Sequence, residues 1–166
     1  MSFFFLLACA AGSREWIFDE SPEAVVATFG NGEVNVVTSE RDGASVLWEG
    51  ASLGTIPHVG VLDAVLLVGA ECRACGGSLD IDVAEGTPLD VTLGEGAVSI
   101  ELSEASDVFV ELDHGSVEIV LPEGDYDLSF RAGVGSVTLD GVAHDAEATH
   151  RIDVTLHAGD ISIVGK

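Results

Sequence analysis

Apolar and polar residues alternate strictly near the middle of the chain, and one short pattern is written there twice. Residues 89–93 (LDVTL) alternate, residues 94–96 (GEG) form a glycine corner, and residues 97–102 (AVSIEL) alternate again. Residues 108–121 repeat this order of apolar, polar and glycine positions 19 residues further on. Because successive side chains of a strand point to opposite faces, a period of two is typical of a half-buried β-strand. The pattern predicts repeated units of strand, glycine corner and strand.

Corner glycines mark a near-constant spacing along the rest of the chain. An earlier unit at residues 25–37 has its corner at residues 30–32, and a polar insertion at residues 142–149 lengthens the last interval. Such regularity indicates structural modules that stack on their sequence neighbours. The intervals are 19, 19, 20 and 24 residues between the successive markers Gly77, Gly96, Gly115, Gly135 and Gly159.

Two all-β architectures fit these units within a single domain. The corners are either bends in a β-solenoid, a β-helix-like stack of rungs of about 20 residues, or hairpin loops in an antiparallel β-sandwich. The unit length and the constant face pattern favour the solenoid. Glycine suits the corners in both cases, because it adopts a positive φ angle without a Cβ clash. In the less regular part of the chain, the apolar run at residues 61–68 fits one strand buried on both faces or a short buried helix, and its β-branched residues and the flanking Gly60 and Gly69 favour the strand.

Three kinds of motif support a family resemblance. The pattern Gly-x-Gly-x-Val-x-aliphatic recurs at residues 30–36, 94–100 and 133–139. A turn at residues 121–126 reads LPEGDY, and the last unit contains AGDISI at residues 158–163. Together they resemble the bacterial adhesin-like β-strand repeat family, also called toastrack domains, over residues 25–166. The resemblance implies a β-solenoid on the cell envelope, frequently attached to a membrane anchor, with no catalytic residues and no cofactor to carry over.

The charge of the chain argues against one class of partner. Asp and Glu number 29 against 6 Lys and Arg, so the formal net charge is -23 and the pI about 4.1. This field repels phosphate backbones and anionic membrane surfaces, which argues against nucleic-acid binding. A solvated surface explains the acids, while a saline habitat or bound divalent cations remain alternatives. The acids expected at outward strand positions include Asp80, Asp82, Asp90, Glu101, Glu111, Glu118 and Asp153.

The amino-terminal residues predict export. Residues 1–8 (MSFFFLLA) are uncharged, apolar and far too short to span a bilayer, which is typical of the hydrophobic end of a secretion signal. Residues 6–9 (LLAC) resemble the lipobox of bacterial lipoproteins, in which the cysteine carries the lipid. We therefore expect a signal at 1–8, lipidation of Cys9, a tether at 9–24 and the β-repeat domain at 25–166. An ordinary cleaved signal with an incidental cysteine, or a cytoplasmic protein, are the alternatives.

Two further cysteines have the spacing of a redox motif. Cys72 and Cys75 are separated by two residues, but no helix of the kind that activates such pairs is predicted beside them. A zinc site needs a second ligand pair, and none is near. In an oxidising compartment we expect a local disulfide between them, with two free buried thiols as the alternative.

The histidines and carboxylates offer no clear reaction centre. His114 and His157 both lie at corners, so we expect them along one edge of the solenoid. They either form a metal site there or, as is commoner for corner histidines, are solvated. Nothing like a nucleophile elbow or a metal-binding helix is present, and the acids occur at nearly every outward position, so no pair is singled out.

The sequence thus predicts a non-catalytic, lipid-anchored surface protein of a bacterial envelope. It acts as an adhesin-like or scaffold module toward an unknown envelope or surface ligand, and it meets the membrane through the lipid alone. The alternatives are a carbohydrate-acting enzyme on a β-helix and an envelope-stress sensing domain.

Overall fold

A computed structural model describes residues 12–50, 56–70 and 76–166. In these ranges the chain forms one mixed sheet of twelve strands that does not close on itself, and it contains no helix, so none of the described residues belongs to a helix that crosses a membrane. The all-β prediction is confirmed. The strands are β1 (Gly12–Phe18), β2 (Ala24–Ser39), β3 (Ala44–Gly50), β4 (His58–Leu62), β5 (Val65–Ala70), β6 (Gly77–Ala84), β7 (Leu89–Glu101), β8 (Val108–Leu121), β9 (Asp125–Val134), β10 (Val137–Asp140), β11 (Ala143–His144) and β12 (His150–Gly165).

Four strands run unbroken through their glycine corners. β2, β7, β8 and β12 each have one arm before the corner and one arm after it. In the fifth unit the corner separates β9 from β10. The corner is therefore a bend within a strand and not a hairpin loop. The two arms around one corner are called a rung below.

The rungs stack in parallel and in register. β2 pairs with β7, β7 with β8, and β8 with β12, always in the same direction. Gly32 lies opposite Gly96, Gly96 opposite Gly115, and Gly115 opposite Gly159. The glycine markers are thus confirmed as equal steps of one ladder, whose neighbouring strands lie about 4.8 Å apart.

The order of the rungs differs from the order in the sequence at both ends. β2 lies between the β5–β6 rung and β7, and β12 lies between β8 and the β9–β10 rung. The prediction that every module stacks on its sequence neighbours is therefore wrong at the ends. β2 and β12 are the longest strands and carry aliphatic residues in both arms, so an interior position buries more apolar area than an end position. The insertion at 142–149 supplies the chain that returns past β9 to reach this place.

The apolar run at residues 61–68 is a hairpin and not a single buried strand. β4 and β5 pair in antiparallel fashion around Asp63 and Ala64, whose φ angles are 51° and 64°. Two successive positive φ angles make the tight two-residue turn that matches strand twist. Val61 and Leu62, at the end of β4, are consequently exposed. The turn residues Asp63 and Ala64 do not include the glycine that is usual in this type of turn.

A pair of antiparallel strands covers one end of the ladder. β3 pairs with β6, and β1 pairs with β3. Trp16 and Phe18 of β1 pack against the core, which fixes the strand in place. β1 lies inside the range expected to be a tether, so within that range only residues 19–23 connect one strand to the next.

The core is a set of aliphatic columns that pass from rung to rung. Each inward position faces the equivalent position on the next strand, and each such side chain contributes roughly 1.5–3 kcal/mol when buried. One column, with no member more than 1% exposed, consists of Leu79, Val34, Val98, Val117 and Ile161.

Buried hydroxyl groups hold the turns between rungs. Thr38 Oγ1 accepts a hydrogen bond from the Ser103 amide at 2.8 Å, and Thr87 Oγ1 donates one to the Ala84 carbonyl at 2.7 Å. Tyr126 is fully buried, and its hydroxyl donates to the Pro122 carbonyl at 3.0 Å. Burial raises the pKa of Tyr126 because the phenolate loses its hydration.

Substituting Gly115 tests the corner. Gly115 has a φ of 142°, and a Cβ there would overlap the Gly96 carbonyl oxygen. Gly115→Ala should lower the free energy of unfolding by at least about 2 kcal/mol, which corresponds to roughly 4 °C or more in Tm. Gly60→Ala is the matched control, since a Cβ at Gly60 meets nothing within 4 Å. Equal unfolding curves for both variants would contradict the tight contact between corners.

Tyr126→Phe tests the buried hydroxyl. Loss of its hydrogen bond should cost about 1 kcal/mol at neutral pH. The raised pKa adds a pH dependence: the neutral form is favoured in the folded state, so this contribution is complete below the usual pKa near 10 and is lost as the pH rises above it. Denaturant unfolding between pH 8 and 11 should show a smaller alkaline loss for the variant. Because the chain has one tyrosine, parallel curves would disprove the assignment.

Candidate interaction surface

The corner edge of the ladder brings a histidine and a carboxylate together. His157 Nδ1 lies 3.0 Å from Asp113 Oδ1 on the neighbouring strand, and both side chains are mostly exposed. His114 is level with Ala158 on one side and Glu95 on the other, one position along from the His157 row. The two predicted histidines therefore occupy adjacent strands but different rows, because His114 directly precedes its marker glycine and His157 stands two residues before its own.

The corner does not gather a metal-ligand set. Among the residues that the structure describes, no group of three or more His, Cys, Asp or Glu side chains is placed to hold a metal ion. A cleft of about 410 Å³ opens beside the corner. Its lining consists of Phe29, Gly30, Asn31, Gly94, Glu95, Asp113 and His114.

The three cysteines lie outside the described residues. Lipidation of Cys9 and a disulfide between Cys72 and Cys75 therefore stay predictions.

The acids predicted to face outward do so. None of the seven is buried, and several accept hydrogen bonds from other parts of the chain. Asn35 Nδ2 donates to Asp80 Oδ1 at 2.8 Å, and Arg41 Nη1 donates to Asp82 Oδ2 at 2.6 Å. Part of the acidic surface is thus held in place by polar contacts with an adjacent strand and with the turn after β2, and it is not a free array of carboxylates.

One outward acid has a perturbed pKa. Asp160 Oδ1 accepts hydrogen bonds from Ser136 Oγ at 2.6 Å and from the Ser136 amide at 3.0 Å. These bonds lower the pKa of Asp160, because both stabilise the carboxylate form. The same two bonds join β12 to Ser136, which lies between the corner at residues 133–135 and β10.

The first arms of the rungs carry an outward row with exposed apolar side chains. Phe109 is 41% exposed and Leu67 is 38% exposed, and Val26 is half-buried between them. Large apolar side chains that stay in water mark surfaces that bind other molecules when they share a patch. We call this row the Phe109 face; from one end of the ladder to the other it consists of Leu67, Val26, Asp90, Phe109, Asp153 and Ser129.

The second arms present a comparable row on the other side of the corner. Val37 is 42% exposed there, and Glu101, whose carboxylate pairs with Lys166 Nζ, separates Val37 from Val120, as Asp90 separates Val26 from Phe109 in the first row. This row, the Val37 face, consists of Asp82, Val37, Glu101, Val120, Val164 and Asp140.

Sequence reasoning did not single out Phe109 as a surface residue, although the signal was present. Val108, Val110 and Leu112 occupy the inward positions of the same arm, so alternation alone places Phe109 and Glu111 outward. The available clue was the aromatic ring at an outward position of an arm whose next outward residue is Glu111.

Comparison with known proteins identifies the fold. No family model matches the sequence, and no curated protein matches it either. The crystal structure of a "putative cell adhesion protein" from Clostridium sporogenes superimposes with a TM-score of 0.57 at 14% sequence identity, covering 94% of this chain and 100% of that one. The alignment with a "putative adhesin" from Parabacteroides distasonis covers 94% of this chain and 98% of that chain at 10% sequence identity. Its TM-score is 0.32, which is too low to indicate a shared fold. The chain therefore has the fold of the Clostridium sporogenes protein, and the resemblance predicted from the glycine repeats is confirmed at the level of the fold.

Proposed function

We propose that this chain is an extracytoplasmic, adhesin-like surface protein that binds its ligand through the Phe109 face and catalyses no reaction. The observation that carries the proposal is the combination of a filled interior with an outward row in which the Phe109 ring and the Leu67 side chain are exposed. The inward columns are buried throughout the central rungs, so the ladder has no room for a ligand inside it. Binding must then take place on an outer face, and aromatic residues are enriched among the residues that dominate the energy of such contacts.

The scaffold fits this role as a β-solenoid. Parallel pairing in register, continuous through the corners, supports a solenoid over the antiparallel sandwich. Each rung is locked to its neighbours by backbone hydrogen bonds and by the aliphatic columns. The outer faces are consequently rigid and repeat at every strand, so a ligand contacting several rungs meets preordered side chains and loses little affinity to ordering them.

An adhesive role also agrees with the comparison and with the charge. The Clostridium sporogenes protein of the same fold is named for cell adhesion. The net charge of -23 argues against nucleic acid and anionic lipid as ligands. It favours a neutral or cationic surface ligand that the apolar side chains of the Phe109 face contact directly.

Attachment of a lipid at Cys9 would hold the domain close to the membrane. β1 begins at Gly12, three residues after Cys9. Three residues of extended chain span at most about 10 Å. The part of the chain expected to be a tether is therefore mostly β-sheet, and the first end of the ladder would stand near the headgroups.

Metabolic labelling tests the anchor. The full chain, produced in a bacterium that processes lipoproteins and fed an alkyne analogue of palmitate, should carry the label. Cys9→Ser should abolish it, and Cys72→Ser should retain it as the matched control. An unlabelled wild-type protein, or label that persists in Cys9→Ser, would contradict lipidation at this residue.

Phe109→Asp tests the binding face. Bacteria displaying the full chain should attach to at least one coating in a panel of matrix proteins, mucin and neutral glycans. Loss of a central aromatic contact costs about 1–2 kcal/mol or more, so the variant should attach roughly 5–30-fold less. Val37→Asp is the matched control, because Val37 is equally exposed, lies on the other arm and receives the same charge.

Two outcomes would contradict this proposal. Wild-type cells that attach no better than cells lacking the protein would disprove adhesion. Equal losses for Phe109→Asp and Val37→Asp would show that the binding surface is not the Phe109 face.

A further inference from the structure

The last rung of the ladder is covered along one arm and open along the other. β9 pairs with β12 on one side and with the short β11 on the other. The Leu128 amide donates a hydrogen bond to His144 Nδ1 at 3.1 Å, which extends this cover. Within the described part of the chain, β10 pairs with β12 alone. None of the described strands pairs with its second edge, which we call the open edge.

Apolar side chains of the core columns are uncovered at this open edge. Val137 lies level with Ile161, and Leu139 lies level with Ile163. Val137 and Leu139 are 41% and 45% exposed, whereas the two isoleucines are at most 1% exposed. Val134, at the corner of the same rung, is exposed as well. The core columns therefore end at Val137 and Leu139, whose outer sides are exposed and would be covered by one more paired strand.

The backbone of β10 is oriented to accept such a strand. The Ile161 amide donates to the Ser136 carbonyl at 2.9 Å, so the polar groups of Ser136 face β12. Because backbone groups alternate in direction along a strand, the N–H and C=O groups of Val137 and Leu139 point to the open edge. Lys and Pro, which natural edge strands use to block pairing, are absent from β10.

The charge around the edge selects the occupant. Residues 122–149 contain six acids and a single Arg, and these six are exposed or partly exposed. A second copy of this chain would bring the same negative charge to the interface and would be repelled. A segment with positive charge would be attracted, and apolar residues at every second position would cover Val137 and Leu139.

We propose that the open edge of β10 binds an extended segment of another protein, in which apolar and basic residues alternate, as an added β-strand. The backbone ladder supplies affinity, the uncovered core residues select the apolar positions, and the acids select the basic ones. This site lies at the end of the ladder and does not depend on the Phe109 face, so Phe109→Asp should leave it intact.

The experiment uses the full chain and a synthetic peptide of alternating valine and lysine as the probe. The peptide should bind, its affinity should fall with added salt, and the amides of Val137 and Leu139 should become protected from hydrogen exchange. A peptide of alternating valine and glutamate should not bind. N-methylation of the backbone groups that pair with β10 should abolish binding of the lysine peptide while leaving its charge unchanged.

Two variants of equal charge separate edge pairing from simple electrostatic attraction. Leu139→Lys places a charge in the core column, while Thr138→Lys places the same charge on the outer side of the same strand. Leu139→Lys should weaken peptide binding about tenfold or more, and Thr138→Lys by about threefold or less, with thermal unfolding confirming that both are folded.

Several results would overturn the proposal. These are no binding of the lysine peptide, equal effects of the two lysine variants, or protection of amides elsewhere than on β10. Sedimentation that shows the free chain to be a dimer, with Leu139→Lys restoring the monomer, would make a second copy the occupant and would also overturn it.

Discussion

Close contact between the backbones of successive corners is the constraint on which the structure depends. At Gly96, Gly115 and Gly159 a Cβ would overlap the carbonyl oxygen of the glycine on the neighbouring rung. Only the absence of a side chain lets the corners approach to the spacing of a hydrogen-bonded ladder. Because the corners lie directly above one another, the two arms of every rung are aligned as well, and each inward side chain finds its partner one strand away.

The consequences of this alignment extend from the core to the surface. Inward positions become continuous aliphatic columns, so the energy of burial is shared by all rungs and no rung is expected to be stable alone. Outward positions become rows of fixed spacing, in which carboxylates, hydroxyl groups and a few apolar side chains are mixed and Phe109 is an exposed aromatic residue. The same regularity leaves each terminal rung with a neighbouring rung on one side only. The chain covers one end with β3 and β1 and covers only half of the other with β11.

Period-two alternation and glycine spacing were enough to predict the all-β fold, the units and their register. They were local signals, and each unit carried them independently. The order of the rungs was not predictable in this way, because β2 and β12 read like any other unit and their interior positions depend on how much area each end leaves exposed. The β4–β5 turn was missed because Asp63 and Ala64 adopt positive φ angles without a glycine to signal them. The open edge at β10 could not be predicted from the sequence. Val137 and Leu139 follow the same alternating pattern as the buried core residues, and only the structure shows that β12 alone among the described strands pairs with β10.

Backbone nuclear Overhauser contacts provide the most direct test of the stacked ladder. The account predicts contacts from the α protons of Gly115 to the backbones of Gly96 and Gly159, together with contacts between Val117 and Ile161 and between Ile161 and Val137. Direct contacts between β8 and β10, or an antiparallel pattern between β8 and β12, would show that the rungs do not stack in the order and direction described.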